Sequence, residues 1–191
     1  MRLSLGNMDT PRLVTERLRL RPPRTQDQVS WSRLRRDSED FLKPWEPVWA
    51  SDHLGARSFR QRVRWAQREI AAGRAYPFLV FRSEDHALVG GLVLENVRRG
   101  AAMSGALGYW LGKQHTGQGY MTEALQAVVT FAFDDLGLSR LEAACLPENE
   151  PSQALLKRCG FHDERLARKY LEIAGVWRDH LIYERRRSDR I

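Results

Sequence analysis

Residues 103–111 form a β-prone run that breaks into a glycine-containing turn, gives way to an amphipathic segment reaching Leu136, and is followed by a second β-like run at 140–146. A strand, a crossover helix and another strand in succession imply a parallel pair inside a mixed α/β domain. The helix follows from period: Met121, Ala124, Leu125, Val128, Val129, Ala132, Phe133 and Leu136 recur at steps of three and four, and Gly137 supplies a stop. Glu123 falls in the first turn, where the helix dipole favours negative charge. The helix start leaves backbone N–H groups free, and Gly117 and Gly119 let main chain approach an anion such as a pyrophosphate. Paired glycines before a helix also occur in ordinary loops, so the turn acquires meaning only with its neighbours.

The remaining elements show no internal repeat. Leu18–Arg21 alternates as a half-buried strand and stops at Pro22-Pro23. Residues 25–37 read as a helix with Val29, Trp31 and Leu34 toward the core, and a basic helix covers about 56–72 before Gly73. Between them, residues 41–47 are too rich in proline for regular structure. Residues 76–81 and 87–94 read as a hairpin. A loop at 147–151 precedes a short helix over 152–159, and two further β segments centre on Tyr170-Leu171 and on residues 180–182. Arg185, Arg186, Arg187 and Arg190 read as a solvated tail.

Bulk properties narrow the class. With 191 residues, 42% of them hydrophobic, the chain supports one sizeable core, and a single domain over 1–191 is expected. A formal net charge of +7 points to anionic surroundings: a phosphate-bearing ligand, acidic peptides or RNA. Cys145 and Cys159 make neither a disulfide framework nor a metal-ligand set, so buried thiols and no metal are expected. Residues 1–21 lack an apolar core of signal-peptide length, and no segment reaches about 18 apolar residues. The expected location is the cytoplasm, without membrane contact.

Gly108-Tyr109-Trp110-Leu111, the glycine turn, Thr122-Glu123-Ala124, Asn149-x-x-Ser152, Gly160-Phe161 and Trp177-Arg178-Asp179-His180 follow one another along nearly the whole chain. In that order they resemble the acetyl-CoA-dependent GNAT N-acetyltransferases. More narrowly, Phe41-Leu42-Lys43-Pro44-Trp45-Glu46-Pro47-Val48 and Asn96-Val97-Arg98-Arg99-Gly100 are similar to the RimJ-type ribosomal-protein alanine N-acetyltransferases. The resemblance implies a mixed central sheet, splayed where acetyl-CoA binds, with helices on both faces. It places the cofactor turn at Thr116, Gly117, Gln118, Gly119, Tyr120 and Met121. Residues 114–119 also match the family's pattern literally, but the spacing from Gly108-Tyr109-Trp110-Leu111 and to Thr122-Glu123-Ala124 favours 116–121. Thr116 then stands where Arg or Gln is common, and Met121 where a small residue is common. These departures bear on cofactor affinity more than on cofactor identity.

The resemblance also implies roles. The backbones of Trp110 and Leu111 would bond the pantetheine arm, and an N–H would polarise the thioester carbonyl, a contact worth about 2.7–4 kcal/mol. Asn149 before Ser152 is a good helix cap in its own right. In relatives the Asn contacts pantetheine and the hydroxyl protonates the departing thiolate, which makes Ser152 the candidate general acid. Many relatives carry Glu just before the Gly-Tyr pair, where Ala106 and Leu107 stand here. Glu46, held between Pro44 and Pro47, is the substitute candidate for the base, beside its reading as a solvated loop carboxylate. A strong base is not obligatory, because an α-amine of pKa about 8 is roughly a tenth neutral at pH 7. Trp31, Trp45, Trp49 and Trp65 would supply an aromatic acceptor wall, with at most two lining the groove.

The leading expectation is direct transfer of acetyl from acetyl-CoA to the N-terminal α-amine of a protein starting with Ala or Ser, ribosomal proteins among the candidates, in a ternary complex. No cysteine sits in a nucleophile motif with a partnered histidine. Acetylation of a small-molecule amine, such as an antibiotic or polyamine, is the alternative within enzymes. Outside them stands a non-catalytic ribosome- or RNA-associated module resting on Arg33, Arg35, Arg36, Arg57, Arg60, Arg62, Arg64 and Arg68, although no RNA-reading motif is present. A monomer and a homodimer are both compatible with the chain.

Overall fold

Alternating side chains give the central strands one helix-covered layer on each side. The computed structural model describes residues 10–189. Its strands are β1 (Leu13–Val14), β2 (Leu18–Arg21), β3 (Tyr76–Arg82), β4 (Leu88–Arg98), β5 (Ser104–Leu111), β6 (Arg140–Cys145), β7 (His162–Ile173) and β8 (Val176–Arg186). They form one sheet in the order β1-β2-β3-β4-β5-β6-β8-β7. The helices are α1 (Gln28–Asp37), α2 (Glu39–Leu42), α3 (Ala56–Ala71), α4 (Tyr120–Thr130) and α5 (Glu150–Arg158).

One core packs α4 and α5 on the sheet through Leu92, Leu94, Leu107, Leu125, Val128 and Leu156. A second, smaller core packs α1 and α3 on the opposite face through Trp31, Leu34, Phe59, Val63, Leu79 and Leu88. The mixed α/β fold with helices on both faces is therefore present. β5 and β6 are the expected parallel pair, in register from Ser104↔Arg140 to Leu107↔Ala143. Beyond Leu107, β5 keeps β4 as its partner but has none on β6, so the sheet opens along residues 108–111.

Several expectations change. Residues 41–47 are not irregular throughout: α2 runs into a 3-10 turn at Lys43–Trp45, with Pro44 near its start, where a missing N–H costs little. Val29 is 73% exposed and outside the core. Residues 25–27 are a 3-10 turn that leads into α1. The α4 period continues to Leu136, but residues 131–135 form a π turn closed by a bond from the Leu136 N–H to the Phe131 carbonyl (3.1 Å). Two long strands, β7 and β8, replace the two short β segments. Arg185 and Arg186 belong to β8, and Arg185 Nη1 donates to the Cys159 carbonyl (2.6 Å), so these residues are no loose tail. Arg190 and residues 1–9 lie outside the described residues. No helix among those described is long and apolar enough to cross a membrane.

Candidate active site

After β5 the chain makes a 3-10 turn at Lys113–His115 and then places Gly117 and Gly119 at φ +74° and +77°. These left-handed values suit glycine, and a Cβ on Gly117 would meet nothing within 4 Å, so the main chain there is bare. At the start of α4 the Glu123 N–H bonds the Gly119 carbonyl (3.1 Å), which leaves the N–H groups of Tyr120, Met121 and Thr122 without partners inside the helix. Tyr120 and Met121 bury their side chains and offer the solvent side only main chain. Thr116 turns its hydroxyl to the Lys113 carbonyl (2.9 Å), and Gln118 its amide to the Gln114 carbonyl (3.0 Å).

Glu123 fastens this helix start to the first strands. It accepts from the Thr15 hydroxyl, from the Arg17 backbone N–H (2.8 Å) and from Arg17 Nε (2.7 Å). Burial raises its pKa, but these bonds outweigh burial and hold the carboxyl below its ordinary value. Arg17 also donates to the Gln118 carbonyl (3.0 Å) and, with Arg158, lines an open depression of about 530 Å³ beside Gly119 and Thr122. Free amides, a helix N-terminus and two arginines fit a diphosphate.

The open edge of β5 continues the same surface. The Gly112 N–H bonds the Val89 carbonyl (2.9 Å), and the alternation of an antiparallel ladder then turns the Trp110 N–H toward β4. Tyr109 and Leu111 present their main chain to the opening. Of the two residues expected there, Leu111 is so placed, and Trp110 faces its neighbour strand. Tyr109 was not anticipated, and its hydroxyl lies 2.7 Å from Ser152 Oγ across the opening. Ser152 is in turn set by the cap of α5, where its N–H donates to Asn149 Oδ1 (3.2 Å). Burial pushes the Tyr109 hydroxyl well above its ordinary pKa, so it stays protonated.

The opposite face is built of side chains. The Arg35 guanidinium sits 4.5 Å from the Trp49 ring, 4.7 Å from Trp110 and 5.7 Å from Trp31. Glu46 closes this cage: one oxygen accepts from Arg35 Nη1 (2.8 Å), and the other from Arg35 Nη2 and from Trp49 Nε1 (2.7 Å). An internal arginine thus fills the aromatic cage, and Glu46, the candidate base, faces that arginine. Arg35 is 4% exposed and contributes nothing to a basic outer surface. His53 stacks on Trp49 (4.4 Å) with its ring nitrogens 3.2 Å from Arg35 and 2.9 Å from Arg62. Burial first, then Arg62 and Arg35, push its pKa down to about 4.

Beside the cage lies a pocket of about 270 Å³ lined by Trp31, Phe59, Arg62, Trp65, Gly108 and Trp110, among others. Trp31 and Trp65 are the two of the four expected tryptophans that line it. Cys145 and Cys159 are buried thiols that form no disulfide, and burial raises the Cys159 thiol to about 11. Among the described residues no His, Cys, Asp or Glu cluster could hold a metal ion.

Comparison with known proteins agrees with this layout. The acetyltransferase (GNAT) domain family matches residues 17–162. YjcK of Bacillus subtilis (strain 168) is 36% identical over 163 residues, which cover 85% of this chain and 90% of that protein. The [ribosomal protein uS5]-alanine N-acetyltransferase of Escherichia coli (strain K12) is 33% identical over 177 residues, covering 93% of this chain and 91% of that one. The structure of Mycobacterium smegmatis RimJ in complex with CoA-disulfide superposes with a TM-score of 0.86 at 35% identity, covering 94% of this chain and 88% of that one. A sheet opened beside a glycine turn, matched along most of the sequence, has one assignment: the chain belongs to the GNAT family of acetyl-CoA-dependent N-acetyltransferases.

Proposed function

We propose that this enzyme acetylates the N-terminal α-amine of a cytoplasmic protein, with Ala- or Ser-starting ends preferred and ribosomal proteins as the acceptor class. The observation that carries this reading is the pocket of about 270 Å³ behind β5, walled by Trp31, Trp65 and Trp110 and reaching Gly108. Its size suits a small first residue and a short length of main chain, and its aromatic walls suit their apolar surface. Arg62 in the wall disfavours a polyamine, which brings several positive charges where a peptide end brings one. The acceptor named for the Escherichia coli relative supports the same class.

When bound, acetyl-CoA supplies an activated thioester carbonyl. The N–H groups from Gly117 to Thr122 hold its diphosphate, and Arg17 and Arg158 add positive charge beside them. The main chain of Leu111 and Tyr109 bonds the pantetheine arm, with an N–H aimed at the carbonyl oxygen. Ser152 donates a proton to the departing sulfur, and the Tyr109 hydroxyl orients it. Asn149 fixes the main chain of Ser152. Glu46 clamps Arg35 and Trp49 and so keeps Trp110 in place at the acceptor wall, a positioning role.

The test is release of free CoA from acetyl-CoA with a panel of N-terminal peptides, spermidine and aminoglycosides. Turnover with Ala- and Ser-starting peptides above all other acceptors is expected. Preference for spermidine or an aminoglycoside would overturn the proposal.

A further inference from the structure

A carboxylate on the acceptor face takes no part in the roles above. β4 and β5 pair in register as Gly91↔Trp110, Val93↔Gly108 and Glu95↔Ala106. The first two pairs line the aromatic pocket. Side chains two residues apart share a face, so Glu95 lies on the pocket's side of the sheet, one pair beyond Val93 and Gly108. Gly108 is then its diagonal neighbour, about 7–8 Å away between main chains and within reach of a long side chain. Ala106 is small and Gly108 has no side chain, so neither obstructs that reach. The same position is the root of the opening, because Ala106↔Glu142 and Leu107↔Ala143 are the last pairs between β5 and β6.

Across the sheet the row runs Glu95, Ala106, Glu142, Glu184, which puts three carboxylates on one face. Arg140 bonds Glu142 (2.6 Å) and Glu184 (2.9 Å), and Arg186 bonds Glu184 (2.6 Å). Glu95 differs: it is half-buried and, among the described residues, its carboxyl has no hydrogen-bond or ion-pair partner. Burial raises its pKa. Its oxygens are not among the fully buried polar atoms without partners, so they keep contact with solvent and can exchange a proton with water. Directly after it the ladder shifts register between Glu95 and Arg98, with Asn96 at φ +52°. Bulges of this kind re-aim side chains and are frequent beside active sites. His180, a further titratable group on this face, is 3% exposed with Nδ1 against the Arg178 carbonyl (3.0 Å). Arg62 is the charged group of the pocket wall.

We propose that Glu95 accepts the proton released by the attacking acceptor nitrogen, directly or through one water. This rests on the acetyl-transfer reading above. The nitrogen lone pair forms the C–N bond to the acetyl carbon, and the C–S bond breaks with its electrons on sulfur. Ser152 gives sulfur a proton, and Glu95 takes one from nitrogen. Solvent then removes the proton from Glu95 and restores one to Ser152, so amine plus thioester becomes amide plus thiol.

The test compares Glu95→Gln and Glu95→Asp with wild type in the full chain, using acetyl-CoA and an Ala-starting peptide. Glu95→Gln should lower kcat about 10²–10³-fold, leave KM for acetyl-CoA within about threefold, and remove the lower ionisation from the acid side of the kcat/KM profile, leaving the one set by the acceptor amine at about 8. Glu95→Asp should recover part of the rate. Independently of turnover, the carboxyl ¹³C resonance that disappears in Glu95→Gln should titrate above the ordinary glutamate value of about 4.3. Wild-type kcat in Glu95→Gln, or a Glu95 carboxyl titrating at or below that value, would overturn the proposal. Calorimetric CoA binding checks that each variant is folded, and if Glu95→Gln is not, Glu95→Asp decides: an unchanged kcat and pH profile in that variant would overturn the proposal. Wild-type turnover of the peptide tests the acceptor reading separately, since only the ratio of variant to wild type bears on Glu95.

Discussion

The two faces of the sheet build their halves of the site from different material. On the α4–α5 face the ligand surface is main chain: two left-handed glycines, the first amides of α4 and the open edge of β5. On the α1–α3 face it is side chains: a caged Arg35, three tryptophans, Glu46, Arg62 and the unpaired Glu95. The first arrangement binds what all members of such a family share. The second sets what this chain accepts. Backbone amides cannot be substituted away one by one, whereas a cage can be rebuilt residue by residue, so acceptor choice is the easier half to change.

That contrast can be broken by mutation. Glu46→Ala strips one partner from a buried pair and should cost about 3 kcal/mol in urea unfolding, while the folded protein keeps its affinity for CoA. A large loss of CoA affinity at saturating folded protein would show that the two faces are not separable. Ser152→Ala should lower kcat about 10²-fold with CoA affinity changed less than about threefold, as expected of an acid that acts on a leaving group. Gly117→Ala and Gly100→Ala both force a side chain into the left-handed region, at φ +74° and +67°, with nothing within 4 Å. Each should cost about 1–2 kcal/mol of stability, but only Gly117→Ala should weaken CoA binding in calorimetry. Tyr109→Phe should cost about 1 kcal/mol through the lost bond to Ser152 and lower kcat about fivefold.

The smallest effect concerns pH. The His53 pKa falls from 6.5 to about 4 on folding, so the unfolded chain binds the extra proton first. The stability this neutral ring contributes is complete above pH 6.5 and is lost as pH falls toward about 4. Thermal melts of wild type and His53→Gln should converge at low pH and separate above 6.5; parallel curves would remove His53 from the account.

Legibility followed the same division. The glycine turn, α4 and the parallel pair depend on residues close in sequence, and period alone exposes them. The π turn at residues 131–135 escaped because the apolar spacing that continues to Leu136 does not distinguish it from α-helix. β7 escaped as a full strand because it is the sheet's edge and mostly exposed, so alternation is weak along it. On the acceptor face, Arg35 and Glu46 stand eleven positions apart and meet Trp110 only through the fold. Glu95 became visible only once the β4–β5 register set it beside Ala106, the position left without a carboxylate. Tyr109 could have been found earlier: it lies within the strand motif, and alternation places its side chain opposite to that of Trp110.

Hydrogen–deuterium exchange with and without CoA tests the main-chain account most directly. Amides from Gly117 to Thr122 and that of Leu111 should exchange more slowly with CoA bound, while α3 is unchanged. Unaltered exchange at those amides, with CoA demonstrably bound, would contradict it.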